Sequence, residues 1–174
     1  MAFSGTTINS SLIGANLNSS DATALFARGT TVVTTNGSRF EYVEASGTFT
    51  TGYMVMVSPG GTAFGYTTAM MTQGIAGVMG QDMAWVQGLI NQSEFGWVAK
   101  QGRDLYVLCT GTLTAASTVG VAVASTGRLR SQPAGEVGST LIGVYLTTSA
   151  SVATASVAVA TITWPAPVAR LTAT

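Results

Sequence analysis

Histidine is absent from the 174 residues, cysteine occurs once, at Cys109, and the only lysine is Lys100. Without an imidazole, the chain has no histidine general base, no histidine zinc ligand and no Ser-His-Asp triad. One cysteine cannot close an internal disulfide, and Cys109 reads as a small buried apolar residue. Charge is scarce: Asp, Glu, Lys and Arg make up 8% of the chain, seven basic against seven acidic, where soluble domains usually carry roughly 25%. No long-range field draws such a chain to phosphate, so nucleic acid is not an expected partner. The opening "MAFSGTTINSS" has neither a basic start nor an apolar core, so no secretory signal is expected there. A long uncharged stretch near the end, residues 137–169, is interspersed with Ser and Thr and has Pro165 and Pro167 near its end. That pattern favours strands over a membrane-crossing helix, and no membrane partner is expected.

What is abundant is apolar: 47% of the residues, with most of the rest Gly, Ser and Thr. Disorder needs low hydrophobicity and high net charge, the reverse of this composition, so the chain should fold. A neutral, hydroxyl-rich and apolar surface protects poorly against self-association, which makes burial in a permanent assembly favourable. The length suits one domain with an internal duplication. Residues 1–29 read as an N-terminal arm and a short helix, and residues 30–174 as a β-rich body.

In the arm, Phe3, Ile8, Leu12, Ile13 and Leu17 are isolated among small polar residues, with no sustained period of 2 or 3.6. "SSDATALFARG" then offers Ser20 or Asp21 as a cap, Leu25 and Phe26 as an apolar patch and Gly29 as a stop, which predicts one short helix. From Thr30 the pattern turns to strands. "TTVVTTNGSRFEYVEAS" places Asn36-Gly37 between two β-rich runs, predicting a hairpin with Phe40, Tyr42 and Glu44 on one face and Arg39, Glu41 and Val43 on the other, one face wetter than its opposite.

The body repeats itself. "GTFTTGYMVMVSPGGTAFGYTT" is followed by "GIAGVMGQDM", and "GTLTAASTVGVAVASTGRLRSQ" by "STLIGVYLTTS". The offset is 64 positions between Gly47 and Gly111 and 66 between the Gly-Val pairs at Gly77 and Gly143. Two diverged β-units, about 46–83 and 110–148, account for this. Neither buries a face alone, so the pair must pack as a sandwich or close as a barrel. "FGWVAKQGRDLYVLC" and "SVAVATITW" complete the halves, for about ten strands.

No cluster of reactive side chains stands out. Asp21, Glu41, Glu44, Asp82, Glu94, Asp104 and Glu136 are scattered and read as solvated surface groups. Asp82, Glu94 and Asp104 lack the tight spacing of a calcium loop. The glycines at 74, 77 and 80 do not make a dinucleotide fingerprint. Arg128 and Arg130 share a strand face, which reads first as a solvated face and otherwise as a grip for a carboxylate on a partner. Met54, Met56, Met70, Met71, Met79 and Met83 crowd the first unit as core filling or as an irregular contact surface. Trp85, Trp97 and Trp164 are expected core or interface anchors. No enzyme activity, cofactor or metal follows from any of this.

In order along the chain, "RGTTVVTTNGSRFEYVEASGTFTTGYMVMV", "EFGWVAKQGRDLYVLCTGTLTAASTVGVAVASTGRLRS", "LIGVYLTTS" and "ATITWPAPV" resemble the head decoration, or cement, proteins of tailed bacteriophages. The resemblance runs from about Arg28 to Val168. It implies a β-rich virion protein on the outer capsid surface, homotrimeric, strengthening joints between major capsid proteins. On that reading Phe3, Ile8, Leu12, Ile13 and Leu17 anchor the arm on a neighbouring capsid subunit. The alternative is a receptor- or carbohydrate-binding β-module of a tail fibre or spike, with Tyr53, Tyr66 or Trp85 as an aromatic platform.

Overall fold

The computed structural model describes residues 16–58, 60–65, 82–115, 119–121, 127–131, 140–149 and 156–167. Eleven strands occupy them: β1 (Ser20–Asp21), β2 (Thr31–Val33), β3 (Arg39–Ala45), β4 (Met54–Val57), β5 (Thr62–Gly65), β6 (Asp82–Val86), β7 (Phe95–Cys109), β8 (Val119–Val121), β9 (Leu129–Ser131), β10 (Thr140–Leu146) and β11 (Ser156–Pro167). There is no helix among the described residues.

The long strand β7 organises the molecule by serving two closed rings. Its first half pairs with β3 and β6, and the circuit β3–β5–β4–β6–β7 closes on itself. Its second half pairs with β11 and β9, and β7–β9–β8–β10–β11 closes likewise. Each ring has one parallel pairing, β3 with β5 (Ala45 opposite Ala63) and β7 with β9 (Cys109 opposite Leu129). The fold is therefore an all-β barrel body in which closure removes most open edges.

The repeated phrases hold matching places in the two rings. Val55 faces Gly65 and Val119 faces Ser131, which reproduces both sequence offsets, 64 from 55 to 119 and 66 from 65 to 131. Phe49 of "GTFT" and Leu113 of "GTLT" both stand buried just before their hairpins. The last strand of each unit departs from the expected match. Gly77-Val78 lies outside the described residues, and the strand that pairs in the first ring as β10 does in the second is β6. The connection from Gly65 to Asp82 is longer than that from Ser131 to Thr140, so a constant offset cannot extend past the hairpins.

Side-chain size separates inside from outside. A five-stranded ring leaves a narrow interior, and Val43, Ala45, Val55, Val57, Ala63, Ala84, Val86 and Val98 fill the first, with Phe49 and Ile90 at one end. One step along the same faces, Lys100 and Glu41 pair at 3.1 Å with 11% and 14% of their side chains exposed, respectively. The β3 face of Arg39, Glu41 and Val43 is thus dry from Val43 onward, because it lines this interior. The opposite face carries Phe40, Tyr42, Met54, Met56, Met83, Trp85 and Trp97. Odd-numbered residues of β7 point outward in the first ring (Trp97, Ala99) and inward in the second (Leu105, Val107, Cys109), so one cluster joins both.

The Asn36-Gly37 hairpin forms, but as a five-residue loop. Gly37 alone takes positive φ (81°), its N–H donates to Thr34 O and Thr34 N–H donates to Ser38 O. This is a type I turn closed by a glycine bulge.

Candidate interaction surfaces

The predicted helix over "SSDATALFARG" is replaced by an extended strap, residues 16–30. β1 adds to β7 with Ser20 opposite Gly96 and Asp21 opposite Phe95. The chain then crosses the outer face of the first ring, where Phe26 packs 5.3 Å from both the Tyr42 and Trp97 rings. At the far side Gly29 N–H donates to Tyr42 O, and Tyr42 N–H to Thr30 O. Ser20 does not cap a helix. Its hydroxyl donates to the Glu94 carboxylate at 2.5 Å, and Leu25 N–H donates to the Tyr42 hydroxyl at 3.1 Å. A helix of about ten residues is marginal in isolation, and tertiary partners here satisfy the backbone and side-chain groups it would have used.

The strap also decides the fate of one expected arm anchor. Leu17 is only 5% exposed and belongs to the body's main apolar cluster, so it is not available to a neighbouring subunit. Gly88 lies so close beneath Asn18 that a Cβ would sit 2.2 Å from its carbonyl oxygen, which fixes where the strap enters. Phe3, Ile8, Leu12 and Ile13 lie outside the described residues.

Electrostatics around the strap are local. Hydrogen bonds from Ser20 and then Asn91 hold Glu94 below its ordinary range. Burial raises the Tyr42 phenol, against the Leu25 N–H, which favours its ionised form. Arg28 pairs with Glu44 at 2.6 Å on the surface, a contact of small energetic weight. Burial drives the Cys109 thiol up to about 12, so it is an inert core group. Among the described residues no three His, Cys, Asp or Glu side chains gather to hold a metal ion, and no helix is long and apolar enough to cross a membrane.

The rings are joined by backbone contacts that sequence reasoning missed. Gln87, buried after β6, accepts from Tyr106 N–H (2.9 Å) and donates to Tyr106 O and Trp85 O (both 3.2 Å). Gly52 O accepts from Leu108 N–H at 2.7 Å, and Met54 N–H donates to Gly127 O at 2.8 Å. A lone glutamine at a strand end carries no local signal for such a role.

Of the proposed aromatic platform, Trp85 is wholly buried, Tyr53 packs against Phe49 and over Gly127, and Tyr66 lies outside the described residues. Met54, Met56 and Met83 are core, as is Trp97, while Met70, Met71 and Met79 lie outside. Among the described residues the exposed large apolar side chains are instead Leu25, Val33, Leu89, Tyr145 and Val157. The last two could have been found from alternation in "GVYLTTS" and "SVAVATIT", which puts Tyr145, Val157, Val159, Thr161 and Thr163 on the faces opposite the second ring's core. No known family model matches the chain, and no curated protein is significantly similar to it.

Proposed function

We propose that this protein is a structural component of a bacteriophage head, binding the outer surface of the assembled capsid and tying neighbouring major capsid proteins together as a homotrimer. One observation carries the reading: a body of two closed β-rings, in a chain with 8% charge, leaves Leu25, Val33, Leu89, Tyr145 and Val157 exposed. Such a surface lowers its free energy by being covered. The resemblance of its turn and strand phrases to head decoration proteins supplies the identity of the cover. A clamp that binds only the assembled lattice stabilises it by mass action, and many weak joints add up to strong retention. The carbohydrate-binding alternative loses Trp85, which lies in the core.

Cosedimentation with heads lacking the protein tests this. Saturable binding, with density over inter-capsomer joints by electron microscopy, is expected. A protein that stays in the supernatant at saturating head concentration would refute the proposal.

A further inference from the structure

We infer that the outer face of the second ring, formed by β7, β11 and β10 around Tyr106, Val159, Val157 and Tyr145, is a docking site for an extended, uncharged, apolar-bearing segment of the neighbouring shell protein. The inference rests on the head-binding reading and names its contact. The argument is the equivalence of the two rings. In the first, Tyr42 faces Trp97 and Glu44 faces Phe95 across β3 and β7. In the second, Tyr106 faces Val159 and Leu108 faces Val157 across β7 and β11, and Tyr145 opposite Thr161 stands where Trp85 opposite Ala99 stands in the first.

The first of these faces is occupied. The strap adds β1 to the edge of β7 at Phe95 and Gly96, then lays Phe26 over Tyr42 and Trp97. The corresponding stretch of β11, Val157 and Ala158, has β7 on one side and no strand on the other among the described residues. Trp97 beneath the strap is 2% exposed, whereas on the second face Val157, the counterpart of Phe95, is 46% exposed and Tyr145 beside it is 58% exposed. The second ring therefore presents the surface that an extended segment covers in the first.

Chemistry and area define the occupant. Tyr106, Tyr145, Thr147, Val157, Val159, Thr161 and Thr163 include no charged side chain, so a charge pressed against them would be desolvated without a partner. Three strands ~4.8 Å apart and about four residues long span roughly 200 Å², well below the ~800 Å² per partner of a stable complex. A second copy cannot be held by this face alone. A strap-like segment can, when other contacts to the same shell act with it.

The test is cosedimentation of the full chain with heads lacking it, comparing wild type, the double variant Tyr145→Glu with Val157→Glu, and Gln92→Glu as an added charge at an exposed site away from this face. The double variant is expected to bind at least tenfold more weakly and the control within twofold of wild type, with slower amide exchange at Val157–Val159 of the wild type on binding. If wild type binds and the double variant binds equally, this docking face is wrong while head binding stands. If wild type does not bind, the head-binding reading fails and takes this inference with it. Should the double variant not fold, Tyr145→Ser with Val157→Thr is read by the same criteria.

Discussion

Replacing Gln87 by methionine keeps the length of the side chain and removes all three of its hydrogen bonds. Two of these meet the backbone of Tyr106 in both directions, N–H and C=O, at 2.9 and 3.2 Å, and the third meets Trp85 O at 3.2 Å. Gln87 itself is 3% exposed. A buried backbone group that loses its partner costs about 1–3 kcal/mol. The Tyr106 contacts are only partly buried, so water restores some of that, and Trp85 O is already within the sheet. The lower half of the range for two groups gives a loss of roughly 2–4 kcal/mol. For a chain of this length each kcal/mol moves the melting point by about 2–4 °C, so a fall of about 5–15 °C is expected. Denaturant unfolding by fluorescence and calorimetry would measure it, with an unchanged m-value. A change below about 0.5 kcal/mol, the ordinary range of a surface substitution, would refute the claim that this side chain bridges the rings.

Gly52→Ala should destabilise by about 2 kcal/mol or more, because φ is +80° there and a Cβ would lie 2.6 Å from Leu108 N; an unchanged melting point would contradict that geometry. Leu17→Ala should cost about 2–4 kcal/mol as a core truncation, whereas deleting residues 1–15 should leave melting unchanged and abolish head binding; equal effects on melting would place Leu17 in the arm after all. Cys109 should resist maleimide at pH 8 until the protein unfolds, since burial holds its thiol up to about 12, and labelling of the native protein at a free-thiol rate would show the second ring to be open. Glu94 has a depressed folded pKa, so its stabilising contribution is present above the unfolded carboxylate value and is lost as pH falls through the folded one. Ser20→Ala, removing the largest cause, should raise the Glu94 titration midpoint by carboxyl NMR, and an unmoved midpoint would separate the strap from Glu94.

Much of the scaffold is set by local chemistry that reads directly from the chain. Alternating Val, Ala and Thr with glycine-bearing turns dictates strands, and the twin phrases around Gly47 and Gly111 dictate that two hairpins take the same form, as the matched pairings at Val55 and Val119 bear witness. The absence of histidine removes every chemistry that needs an imidazole, whatever the fold.

Long-range contacts overrule the local pattern wherever one residue's preference yields to a distant partner. Ser20, Leu25 and Gly29 suit a helix end to end, yet Glu94 and Tyr42 bind their groups in an extended strap, because short helices carry little free energy of their own. Leu17 looks like an isolated residue in a polar arm and is core, since burial is set by what packs over a side chain and not by its neighbours in sequence. The ring closures through β7, and the contrast between a covered first face and an open second one, depend on pairings tens of residues apart that no local pattern encodes.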